Sequence, residues 1–181
     1  MPVRLRMKML FRLSSAAICC AALFLAFRID RTAEGQSASV PEKKVSAAPE
    51  LSPDQKARFE SGKELYAVIC GACHQPHGNG QDGLAPPLAN SEWVTGSEGR
   101  LIRVALQGVR GPIKVSGKDF QMEMPAMAIL EDEQIAAVLT YIRREWGNVA
   151  APVDPKAIAK IRAETEKREE AWTEAELLRI P

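Results

Sequence analysis

A chain of 181 residues, 46% hydrophobic and with a formal net charge of +1, is sized for one domain plus appendages. The near-neutral balance gives no electrostatic case for a nucleic-acid partner or an acidic substrate. Four cysteines would suit a disulfide framework. However, Cys19 and Cys20 sit in an N-terminal leader and Cys70 and Cys73 are taken up by one C-x-x-C-H motif, which leaves no structural bridge.

Arg4, Arg6, Lys8 and Arg12 precede an uncharged run from Leu13 to Phe27, closed by Arg28. This is the outline of an export signal over residues 1–35, with Ala33-Glu34-Gly35 as a small-residue cleavage site. As a helix the run measures about 22 Å, short of the roughly 30 Å hydrocarbon core. Lengthened to residues 9–27, with Arg12 snorkelling, it spans a locally thinned bilayer. A cleaved signal and an uncleaved membrane anchor therefore both stay open. Residues 36–51 mix Ala, Ser, Glu, Lys and Pro without an apolar period and read as a disordered linker.

The folded domain, residues 52–148, opens at Ser52-Pro53-Asp54-Gln55, a capping box with proline in the first helical position. Phe59, Gly62, Tyr66 and Ile69 then recur at helical spacing as the buried stripe. The helix ends on Cys70-Gly71-Ala72-Cys73-His74.

A C-x-x-C-H run is the attachment site of a c-type haem. Two thiols two residues apart can add to the two vinyl groups on one porphyrin edge, and the next residue, His74, reaches the iron. Other readings fit less well. A redox dithiol needs a thioredoxin-like βαβ setting, which is missing around Cys70. Zinc could use Cys70, Cys73, His74 and His77, but zinc frameworks usually draw their second ligand pair from further along the chain. The chain has only two histidines, and His77, three residues past His74, reads as an exposed loop residue. Haem would be the largest apolar element of so small a core, so the apoprotein is expected to fold poorly.

Ser97 can cap a helix carrying Leu101, Ile102, Ala105 and Leu106 and stopped at Gly108. Met122, Met124 and Met127 then crowd one loop. Pro125 forces Met124 towards an extended backbone, which makes Met124 the best candidate for the iron's second face; packing against the porphyrin is the plainer role for such a cluster. Glu131 to Trp146 is the strongest helix signal, with Ile135, Val138, Leu139 and Ile142 as its stripe and Gly147 as its stop. Residues 149–181 form a C-terminal tail of mixed-charge helix, Pro155 to Glu170, whose thin stripe of Ile158 and Ile161 cannot make a core alone. It either folds back or docks elsewhere, with Trp172 as its anchor.

CGACHQPHGNG, APPL, GPIKVSG, MPAM and DEQIAAVLTYIRREWGN together resemble a class I cytochrome c domain over about Ser52 to Trp146. The sequence is similar to the small cytochromes associated with pyrroloquinoline-quinone (PQQ)-dependent sugar and alcohol dehydrogenases. The resemblance implies an all-α, haem-centred class I fold in which the N- and C-terminal helices cross, at Gly62 with Tyr141 as the matching aromatic. It also implies that the Pro86 carbonyl accepts the His74 N–H, that Leu88 packs on the haem face, and that the Met-Pro pair holds the ligand Met124. The stretch from Gly111 to Gly117 would be a loop over the haem edge. Arg110, Lys114 and Lys118 beside it read as solvated surface, with a propionate or partner contact as the sharper alternative.

The function so implied is that of a monohaem periplasmic electron carrier, not an enzyme. Its donor would be a dehydrogenase of the PQQ-dependent kind and its acceptor a cytochrome or terminal oxidase. A thioether on iron favours the ferrous state and raises the potential. The competing class is a haem enzyme or gas sensor whose sixth position is open.

Overall fold

The computed structural model describes residues 49–181; the leader and most of the linker lie outside this range. Helix α1, Pro53–Ile69, starts on the expected capping box: the Ser52 hydroxyl accepts from Gln55 N–H and the Gln55 side chain answers to Ser52 N–H. One further turn, α2 (Gly71–His74), follows Cys70. Helices α3 (Glu92–Thr95) and α4 (Glu98–Gln107) come next, the latter capped by Ser97 and ended at Gly108. Helix α5 spans Asp132–Ile142, α6 spans Pro155–Glu164 and α7 spans Glu174–Leu177. Among the described residues no helix is long and apolar enough to cross a membrane.

Helix α1 packs on α5. A Cβ at Gly62 would run into the Ala137 carbonyl and crowd Tyr141 Cβ, so only glycine permits this approach. Beside it Phe59, Tyr66, Tyr141 and Trp146 form a ring cluster with centroids 5.1–5.3 Å apart, tilted or edge-on as aromatic quadrupoles favour. The α4 stripe of Leu101, Ile102, Ala105 and Leu106 and the α5 stripe of Ile135, Val138, Leu139 and Ile142 complete the buried core.

Three elements depart from the sequence expectation. Helix α5 stops at Ile142 rather than Trp146. There Arg143, buried, turns its guanidinium onto the carbonyls of Ala151, Val94 and Gly96, and Trp146 takes a left-handed φ of 52°. Helix α6 stops at Glu164, where the Thr165 hydroxyl donates to the Ile161 carbonyl. The stretch read as loop from Gly111 to Gly117 contributes to a two-stranded hairpin, β1 (Ile113–Val115) antiparallel to β2 (Lys118–Phe120). Ser116 and Gly117 both have positive φ, 50° and 78°, the condition for a tight turn whose twist matches its strands.

The tail lies on the rest of this unit. Val153, Ile158 and Ile161 enter the main core. Leu177, fully buried, joins Val109, Ile113, Val115 and Phe120 in a second cluster, with Met124 and Trp172 at its border.

Candidate haem site

Two apolar hollows open between these elements, of about 70 and about 210 Å³. Five residues, His74, Leu88, Leu101, Val104 and Met124, line both, so the hollows are two parts of one slot. Cys70 borders the smaller part, while Cys73 and Pro86 border the larger. All six candidate residues therefore come to one place: Cys70, Cys73 and His74 from the α1–α2 corner, Pro86 and Leu88 from the loop after it, and Met124 from the loop before α5. Met122 lines only the larger part and Met127 only the smaller.

His74 is buried, and its Nδ1 stands 2.9 Å from the Pro86 carbonyl oxygen. A carbonyl can only accept, so Nδ1 carries the proton and Nε2 keeps its lone pair for a metal. Burial lowers the imidazole's pKa against the opposing pull of that hydrogen bond, which favours the neutral, ligating form. His77 is exposed, with Nδ1 accepting from Asn79 N–H. No group of three or more His, Cys, Asp or Glu able to hold a metal ion occurs among the described residues.

Cys70 and Cys73 are free thiols, the first half-buried and the second exposed. Burial, with Cys73 alongside, pushes the Cys70 thiol up to about 11. A redox dithiol needs the opposite shift. The donors and walls fit a haem: a pair of thiols at one edge, a neutral imidazole and a soft thioether on a common slot, and aliphatic walls from Leu101, Val104, Ile135 and Val138. Arg110, Lys114 and Lys118 are exposed and paired with Glu170, Asp119 and Asp82.

Two supports are given no role at the site by the sequence. Asn148, buried, donates to the carbonyls of Leu88 and Ile142 and accepts from Asn90 N–H, which ties the Leu88 loop to the end of α5. The Tyr66 hydroxyl donates 2.7 Å to the Gln75 carbonyl and fixes the chain just after His74. Tyr66 was legible only as helix stripe, and Asn148 only as the last residue of the DEQIAAVLTYIRREWGN stretch.

The cytochrome c family model matches residues 59–146. Cytochrome c-552 of Thermus thermophilus is 39% identical over 111 residues, covering 56% of this chain and 84% of that protein. The gluconate 2-dehydrogenase cytochrome c subunit of Pantoea cypripedii is 36% identical over 110 residues, 57% of this chain and 24% of its own length. The fructose dehydrogenase cytochrome subunit of Gluconobacter japonicus is 33% identical over 111 residues, again 56% of this chain and 22% of its own. The chain thus belongs to the cytochrome c family, as a class I domain similar to those of sugar and alcohol dehydrogenases.

Proposed function

We propose that this protein is a monohaem electron carrier of the periplasm, with Cys70 and Cys73 as the thiols that would attach the haem and His74 and Met124 as the residues that would ligate its iron. The observation that carries this reading is that His74 and Met124 are the two potential iron ligands lining both parts of the slot. Haem c held there supplies one-electron ferric–ferrous chemistry.

The chain's own residues do the rest. The Pro86 carbonyl holds the His74 proton on Nδ1 and orients the ring. Leu101, Val104, Ile135 and Val138 keep water from the slot, so charge on the iron is felt in a low-dielectric setting. With His74 and Met124 both placed to ligate the iron, a bound haem would leave no place for a substrate there, and the protein would carry electrons rather than catalyse.

The location rests on the basic stretch and the uncharged run from Leu13 to Phe27; the mature protein is released by cleavage or held through residues 9–27. A dehydrogenase is the natural donor, since several relatives are named as cytochrome subunits of such enzymes. A PQQ-dependent enzyme fits this donor role, and a further cytochrome or a terminal oxidase fits the acceptor role.

The ferric spectrum tests the assignment. The holoprotein should show the weak far-red band of thioether sulfur on ferric iron and should not take up carbon monoxide readily when reduced. Met124→Ala should lose the band, admit carbon monoxide and lower the potential, while Met122→Ala and Met127→Ala should change little. Free uptake of carbon monoxide by the unmutated protein would instead indicate an open site, as in a haem enzyme or gas sensor.

A further inference from the structure

The loop from Gln121 to Ala126 makes its backbone hydrogen bonds at one residue. Met124 N–H donates to the Val109 carbonyl at 2.9 Å and Val109 N–H returns to the Met124 carbonyl at 3.1 Å. The next tie is Met127 N–H to the Ala105 carbonyl. Where Met124 stands is therefore inherited from where Val109 stands. Gly108, next to it, has φ 75°, and a Cβ there would collide with the Met124 carbonyl, so the two segments are pressed together.

Val109 is itself the middle of three extended segments. On its other edge Trp172 N–H donates to the Gly108 carbonyl at 3.1 Å, and Arg110 N–H donates to the Trp172 carbonyl at 2.8 Å. Two further contacts fix the Trp172 side chain. Its indole N–H donates to Gln107 Oε1 at 3.1 Å. The Arg168 guanidinium lies 3.5 Å from its ring centroid. Arg168 in turn grips both Glu176 oxygens at 2.9–3.0 Å. Buried Leu177 locks the same segment under Val109. Trp172 lies well beyond residue 146, where the family match ends.

We propose that the segment Ala171–Ile180 is a brace for the sixth-ligand loop, with Trp172 as a positioning residue that holds Met124 on the iron through Val109. This rests on the reading of Met124 as axial ligand. Without the brace, the backbone of Gly108–Arg110 keeps its hydrogen bonds only to the end of α4 and to Met124, while the Val109 side chain still packs on Ile113, Val115 and Phe120. The Met124 loop then gains freedom that a weak thioether bond does not offset. The tail's role is thus to set how often the sulfur leaves the iron, and through that the potential.

Cyanide binding to the ferric, full-length holoprotein tests this, because its rate follows departure of the sixth ligand. Trp172→Ala should bind cyanide about tenfold faster than wild type, equivalent to about 1.4 kcal/mol, with a weakened far-red band and a lower potential. Trp172→Phe, which keeps an apolar ring and the backbone bridges, should stay near wild type. In the Met124→Ala background, Trp172→Ala should add nothing, the non-additivity expected of residues acting through one element. If Trp172→Ala yields too little holoprotein, Trp172→Leu is carried through the same scheme. An equal acceleration in both backgrounds, or none in either, would overturn the brace while leaving Met124 as ligand. A Met124→Ala protein with an unchanged band and cyanide rate would remove the ligand assignment, and the brace with it.

Discussion

The carbonyl of Ala137 occupies the place where a side chain on Gly62 would begin. Glycine inside a helix ordinarily costs about 1 kcal/mol relative to alanine, so a surface Gly→Ala change would stabilise α1. Here overpacking should prevail. Gly62→Ala is expected to destabilise the holoprotein by about 1–3 kcal/mol, and Gly62→Val by more. Denaturant unfolding followed by haem absorbance measures both; a stabilised Gly62→Ala would show that α1 and α5 do not touch at this point.

Asn148 satisfies two buried carbonyls and one backbone amide at once. Asn148→Ala leaves those groups unpaired, at a cost of about 1–3 kcal/mol. The loss should appear locally as faster amide exchange at Asn90, and the Leu88 wall of the slot should loosen. Unchanged exchange at Asn90 would mean that the side chain does not bridge the loop to α5.

The tail carries its own pH dependence. Glu176 accepts from the Thr173 backbone N–H and hydroxyl and from Arg168, and these bonds hold its carboxyl down at about 2 against an ordinary 4.5. A depressed folded-state pKa contributes stability that is fully present above the unfolded value and lost as pH falls through the folded one. Docking of α7 should therefore weaken as pH falls from about 4.5 towards about 2. Trp172 fluorescence, with the other tryptophans replaced by Phe, follows it. Glu176→Gln should flatten the titration; an identical titration in that variant would assign the change to another group.

What the sequence revealed was local. The capping box at Ser52, the Ser97 cap, and the stripes of α4 and α5 depend on spacings within one helix, and they stand where the spacing puts them. The Cys70–His74 run is equally local, and Pro125 marks Met124 because proline restricts its immediate neighbour. What stayed hidden depends on distant partners. Helix α5 ends early because Arg143 finds the carbonyls of Val94 and Gly96, some fifty positions away along the chain. The hairpin is not legible in the sequence because two three-residue strands carry too little alternation to stand out from a loop. The link from Trp172 through Val109 to Met124 joins three segments with no shared motif.

Covalent attachment of a single haem at Cys70 and Cys73 can be read from the mass of the acid-denatured protein made in cells with an exported attachment system. The wild-type chain should carry the mass of one haem, and it should lose that mass entirely when Cys70 and Cys73 are both replaced by Ala. A wild-type mass equal to the bare polypeptide, or a haem retained covalently in the double variant, would mean that Cys70 and Cys73 are not the attachment thiols.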